Sequence, residues 1–184
     1  PRKKRRLQHA IVTKQGFHRF PQLLYHQVPH AVAHEAKHGG PPRPFEPIDL
    51  GDPMRYLGSA KGGISALFAS CNRGKRSLRI DLKSDAGRET IEQLATESDI
   101  LLTNYRPGVM HSLGLGSEHL RSINPRLIVG AVSGFGTEGP HRNAPAYDPI
   151  IQASAGFAAV QGQGKDSPEF FQTLICDKVT AYTI

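Results

Sequence analysis

Near one end of the 184-residue sequence, "TLICDKVTAYTI" sets a single acid, Asp177, in a run of apolar and small residues. Such a carboxylate either caps an ordinary helix beginning at "KVTAY" or is the chemical point of the molecule. Its neighbour Cys176 is a second nucleophile type, but a free cysteine in an apolar run usually serves packing. A different chemistry is suggested by "HEAKH" at 34–38, which fits H-E-x-x-H, with His34 and His38 one helical turn apart as zinc ligands and Glu35 as base. Pro29 interrupts the start of any such helix, "GGPP" ends it at once, and no extended third-ligand pattern follows. With His26 and His30 at the same spacing, the match reads as chance in a His-rich segment, with adventitious metal binding at most; no metal is expected. The opening "PRKKRR" is a third candidate, a nuclear-localisation or nucleic-acid patch.

Positioning such groups requires regular elements, and these become legible after about Gly51. "RSLRIDL" (76–82) alternates, with Leu78, Ile80 and Leu82 on one face, the period of a strand. "SDAGRETIEQLATES" follows as a helix capped by Ser84 or Asp85, with Ile91, Leu94 and Ala95 on one stripe. "DILLTN" (99–104) reads as a buried strand, "SEHLRSIN" as a helix with Ser117 as N-cap, and "RLIVGAVSG" (126–134) as a strand covered on both faces. "DPIIQASAGFAAV" and "EFFQTLICDKVTAYTI" read as two helices rich in small residues, separated by the polar "QGQGKDSP". Strand, helix, strand, helix, strand is the order of an α/β fold with a parallel sheet and right-handed crossovers.

Ligands of such sheets sit outside the carboxyl ends of the strands. Here that edge carries Lys83, then Asn104 and Arg106, then Gly134, Gly136 and Gly139, where backbone approaches a ligand closely. A phosphate-bearing ligand fits this edge. Neither G-x-G-x-x-G nor G-x-x-x-x-G-K-[ST] occurs, so NAD and ATP are poorly supported.

The net charge of +7 is uneven. Residues 1–60 carry ten Lys/Arg against Glu35, Glu46, Asp49 and Asp52, whereas residues 61–184 are nearly balanced. Six of nine histidines also lie in the first forty residues. Residues 1–50 are therefore expected to form an irregular, basic, His-rich segment, the first 45 a tail or linker closed by "GGPPRPFEP", and residues 51–184 the α/β unit. With basic charge confined to the tail and few aromatics nearby, no nucleic acid is expected as partner. Cys71 and Cys176 are too few and too distant for a disulfide framework. No apolar run approaches the roughly 20 residues of a bilayer span, and no secretory h-region is present. A reducing, cytoplasmic setting is the expectation, or a mitochondrial or peroxisomal one in a eukaryote.

Three segments in unbroken order, "NRGKRSLRIDLKSDAGRETIEQLATESDILLTNYRPGVMHSLGLG" (72–116), "NPRLIVGAVSGFGTEGP" (124–140) and "YDPIIQASAG" (147–156), closely resemble the class III coenzyme A transferases. These include formyl-CoA and carnitine-CoA transferases and the related alpha-methylacyl-CoA racemases. The resemblance covers about residues 52–184, with "GDPMRYLG" (51–58) as its first recognisable piece. It implies part of a Rossmann-like large domain, without the family's small domain, from an enzyme of interlocked homodimers. Family chains are more than twice this length, and their opening strand, Ala-Gly-Pro turn and first helix are not recognisable in residues 1–45. The expectation is a fragment with little turnover, its first 45 or so residues derived from another reading frame or a fusion.

The resemblance also implies a chemistry. A carboxylate attacks the donor acyl-CoA to form a mixed anhydride, the freed CoA thiolate attacks in turn to give an aspartyl-CoA thioester, and the acceptor acid reverses the exchange. A carboxylate suits this because its anhydride is readily recaptured by a thiolate, whereas a serine ester would be a dead end. The matching position is Asp177, and a helix N-terminus beside it is expected to keep it ionised at neutral pH. Coenzyme A contacts map onto Ile80, Asp81, Leu82 and Lys83, onto Asn104, Tyr105 and Arg106, and onto Ala146, Tyr147 and Asp148. Lys83 and Arg106 would meet phosphates, and Asn104 the adenine end. Some transferases carry a basic residue where this chain has Ser112, which leaves more of that contact to Arg106. Racemases resemble "G-H-D" where this chain has Tyr147 before Asp148, so the transferase reading is preferred, with acyl-CoA and a small carboxylic acid as partners.

Overall fold

The computed structural model describes residues 10–13, 31–33, 43–163 and 166–184. The patterned stretch forms as its residues dictate. Strand β6 (Leu78–Ile80) is the middle of the alternating run. Helix α2 (Asp85–Glu97) opens on Ser84, whose Oγ accepts the Gly87 N–H at 3.0 Å, and buries Gly87, Ile91 and Ala95. The far end of α2 is closed from another element. Asn124 Nδ2 donates to the carbonyls of Ala95 (2.9 Å) and Ser98 (2.8 Å), covering acceptors that a helix C-terminus leaves open. Strand β7 (Ile100–Thr103) buries Leu101, Leu102 and Thr103.

After the short helix α3 (Val109–Ser112) comes α4 (Ser117–Ile123). Its N-cap is Gly116 rather than Ser117, because the Gly116 carbonyl already accepts Leu120 N–H at 3.0 Å, and no side chain caps it. Strand β8 is shorter than its apolar run, Ile128–Ala131. It pairs in parallel with β7 alone among the described residues, so Ile128 is 60% exposed and the expectation of two covered faces fails at this strand. Helices α5 (Asp148–Ser154), α6 (Phe157–Gln161) and α7 (Ile175–Thr183) complete the C-terminal part. An aliphatic core of Ile80, Ile91, Leu101, Leu115, Leu120 and Leu127 with Phe45 and Tyr105 packs α2 and α4 onto the sheet.

The α/β class holds, with parallel pairs and flanking helices, but the sheet is mixed and draws on the segment that showed no periodicity. Strands β1 (Ala10–Thr13), β2 (Ala31–Ala33) and β3 (Arg43–Pro47) all join it. The order is β1-β7-β2-β3-β6, with β8 on β7. Strands β1 and β2 run antiparallel to β7, and β2 antiparallel to β3, while β3 runs parallel to β6 with Glu46 opposite Arg79. Both "HEAKH" and "PRKKRR" lie outside the described residues. Among the described residues no helix is long and apolar enough to cross a membrane.

A 3-10 turn at Pro53–Tyr56, the two-stranded hairpin of β4 (Ala60–Lys61) and β5 (Ile64–Ser65), and helix α1 (Ala66–Cys71) connect β3 to β6. Their anchor is Glu46, 1% exposed. Arg55 donates to it from Nε (2.6 Å) and from its terminal amine (2.5 Å), Asp52 N–H adds 3.0 Å, and Ser77 Oγ also donates. The Arg55 guanidinium lies 4.0 Å over the Phe68 ring. Burial alone would raise the Glu46 carboxyl, but the Arg55 and Ser77 hydrogen bonds and the Asp52 N–H outweigh it and lower the pKa to about 2. A depressed carboxyl stabilises the fold above its unfolded value of 4.5, and that stabilisation is lost as pH falls toward 2. Glu46→Gln should therefore cost about 3 kcal/mol near neutrality, as for a buried pair losing one partner. In denaturant melts the gap between variant and native chain should close on acidification; a pH-independent gap would show that the charge is not what matters.

Candidate functional site

Strand β6 ends in a tight turn. The Asp81 carbonyl accepts from Ser84 N (3.1 Å) and Ser84 Oγ (2.8 Å), and Asp81 Oδ1 accepts Lys83 N–H at 2.9 Å. This folds the chain straight into α2, so the exposed Lys83 stands beside the first turn of that helix, where an anion is favoured. Arg88 reaches back to the Lys83 carbonyl at 2.8 Å. Below the turn is a cavity of about 230 Å³, lined by Ile80, Asp81, Leu82, Lys83 and Tyr105 and, from β3 and its exit, by Phe45 to Asp49. Burial pushes the Tyr105 hydroxyl well above its ordinary value, so it stays protonated as a donor.

Five of the ten expected coenzyme A residues thus share one cavity. Asn104, half-buried, and Arg106, exposed, lie outside its lining. The segment Phe45–Asp49 was missed because nothing local ties it to residues 78–80; only the β3–β6 pairing does.

A second cluster forms where β8 hands over to the C-terminal helices. A Cβ on Gly134 would stand 2.0 Å from Ala146 Cβ and 3.3 Å from Ile151, so the absence of a side chain there lets the loop after β8 close on α5. Tyr147 is exposed, whereas Asp148 is only 3% exposed. Asp177 is the third residue of α7, not its N-cap, which is Leu174 without any side-chain bond. The orphan N–H of Asp177 is instead taken by Asp148 Oδ2 at 3.0 Å, so an acid on α5 caps α7 from outside. The carboxyl is expected to be ionised at neutral pH, but its setting raises its pKa rather than lowering it. Burial first, and then the Asp148 charge, raise the Asp177 pKa to about 6. It remains mostly ionised at neutral pH, as a base and nucleophile stronger than an ordinary aspartate. Burial, with both carboxylates, pushes the Cys176 thiol up. Among the described residues no group of three His, Cys, Asp or Glu is arranged to hold a metal ion.

A family model for CoA-transferase family III matches residues 45–184. The chain belongs to this family. An acyl-CoA transferase of Fusarium pseudograminearum (strain CS3096) is 36% identical over 142 residues, 72% of this chain and 31% of the relative. An acetyl-CoA:oxalate CoA-transferase of Acetobacter aceti is 43% identical over 118 residues, 64% of this chain and 30% of the relative. A crystal structure of a CaiB/BaiF family protein from Brucella suis matches with a TM-score of 0.69 at 28% identity, covering 82% of this chain and 41% of that one. The chain spans less than a third of the length of these two curated CoA-transferase relatives.

Proposed function

We propose that this chain supplies the acyl-accepting carboxylate and part of the coenzyme A cradle of an enzyme that moves CoA from an acyl-CoA to a small carboxylic acid. The observation that carries this reading is Asp177, half-buried in the first turn of α7 with its pKa raised to about 6. An Asp177 carboxylate oxygen attacks the thioester carbonyl, the C–S bond breaks, and a mixed anhydride and CoA thiolate result. The thiolate then attacks the Asp177 carbonyl carbon, releasing the donor acid with one former aspartate oxygen and leaving an aspartyl-CoA thioester. The acceptor carboxylate repeats both steps in reverse. Lys83 and the first turn of α2 meet CoA phosphates, Tyr105 and the Phe45–Asp49 wall line the CoA body, and Asn104, Arg106, Ala146 and Tyr147 extend the cradle. The acceptor class follows the oxalate named for the Acetobacter relative. Exposed Val160, Phe170, Val179 and Tyr182 on and around α6 and α7 support assembly as an interlocked homodimer. A cytoplasmic setting fits the free thiols.

Single-turnover trapping tests this reading. Acetyl-CoA with hydroxylamine should convert Asp177 to its hydroxamate, located by mass spectrometry. An acetyl group carried on Cys176 would instead leave as free acetohydroxamic acid, restoring the thiol and leaving Asp177 unmodified, and that result would overturn the assignment.

A further inference from the structure

Helix α5 carries a second buried polar residue one turn beyond Asp148. Gln152 is 1% exposed, and its amide is used on both sides. Nε2 donates to Asp148 Oδ1 at 2.5 Å and to the Thr173 carbonyl at 3.3 Å, while Oε1 accepts Phe171 N–H at 2.9 Å. Two acceptors face the nitrogen and one donor faces the oxygen, so only one orientation of the amide satisfies all three. The other Asp148 oxygen holds Asp177 N–H at 3.0 Å. One amide therefore joins α5, the segment leading to α7, and, through a carboxylate, the backbone of Asp177.

We propose that Gln152 is a positioning residue that locks the Asp148 carboxylate between its own amide and the Asp177 backbone, and so fixes where the Asp177 carboxyl stands for attack. This deepens the reading of Asp177 as acyl acceptor and rests on it. The lock is directional. A carboxylate accepts at both oxygens, and with Gln152 on one and Asp177 N–H on the other, neither Asp148 nor the start of α7 can turn independently. Displacement of a reacting group by an ångström has large kinetic cost, on the order of a hundredfold. The titratable and charged groups on the packed elements are Tyr147, the N-cap of α5, Asp148 on α5, Asp166 and Glu169 on the described part of the connecting segment, and Cys176, Asp177, Lys178 and Tyr182 on α7. Lys178 bonds Thr173 Oγ1.

The test is the rate of hydroxylamine trapping at Asp177 with acetyl-CoA in the native chain, Gln152→Glu and Gln152→Met, near pH 8 and near pH 6. In Q152E the introduced carboxyl faces the Asp148 carboxylate and the Thr173 carbonyl, and only its protonated form restores a donor there. We expect Q152E to be at least about tenfold slow near pH 8, with its rate relative to the native chain rising about fivefold or more near pH 6. Q152M, which keeps the volume without a charge, should be about tenfold slow at both pH values. It also carries the test alone should Q152E not fold. Native-like rates in Q152M, or a pH-independent deficit in Q152E, overturn the positioning role while leaving the acyl acceptor in place. Absence of trapping at Asp177 in the native chain overturns both.

Discussion

Asp177→Asn should abolish hydroxamate formation from acetyl-CoA and, in the same molecule, raise stability at neutral pH. The first effect follows from the proposed role of Asp177 as nucleophile. An amide oxygen cannot form the anhydride, so labelling should fall to background, a loss of at least about a thousandfold for removal of an attacking group. The second follows from the raised pKa. The folded chain holds the Asp177 proton up to about 6, against 3.8 for an unperturbed carboxyl, so between these values the folded state binds more protons than the unfolded one. Stability of the native chain therefore declines as pH rises from about 4 to about 6, and this cost is fully present above 6. Asparagine carries no such cost. D177N should melt higher than the native chain near pH 7.5 and at the same temperature near pH 4. Equal melting at both, with trapping lost, would mean that the carboxyl is strained neither by burial nor by Asp148.

Gly87→Ala should be strongly destabilising. At an ordinary helical position this change stabilises by up to about 1 kcal/mol. Here the new Cβ would stand 1.9 Å from the Asp81 carbonyl oxygen, 2.8 Å from its carbon and 2.9 Å from Ser84 Oγ. The obstacle is backbone, so α2 must lift away from the turn that follows β6. We expect a loss of about 3 kcal/mol or more, the upper range for overpacking. The consequence at the site is specific: the Asp81–Ser84 turn holds Lys83 and one wall of the cavity, so CoA affinity measured by calorimetry should fall with stability. A stability change below about 1 kcal/mol would show that the helix accommodates a side chain there.

Much of this architecture is written in local pattern, and some is not. Helix α2 and strand β7 are legible because a capping serine, an apolar stripe and a compact buried run all lie within a few residues of one another. Strands β1 to β3 have only three to five residues each, too short for alternation to register, and β3 contains Pro44 and Pro47, residues that ordinarily argue against an inner strand. The Phe45–Asp49 wall of the cavity was hidden with it. The setting of Asp177 marks it as a candidate, but its raised pKa was not legible, because it follows first from burial in the tertiary fold and then from the Asp148 charge, 29 residues away on another helix. Gln152 was within reach in principle: it sits four positions after Asp148, the spacing at which helical side chains meet.

If Asp177 is the nucleophile proposed above, the buried thiol beside it has a chemical consequence for fidelity. A mixed anhydride next to a thiolate would lose its acyl group to sulfur, giving a stable S-acyl protein and ending the exchange. Cys176 lies one residue from Asp177, yet it is buried, and its thiol is pushed further toward the protonated form by both carboxylates. Acylation of Asp177 removes one of those charges, but burial and Asp148 remain. In the proposed exchange the neighbour of the acylated carboxyl would thus be kept unreactive, leaving the attack to the external thiolate of CoA.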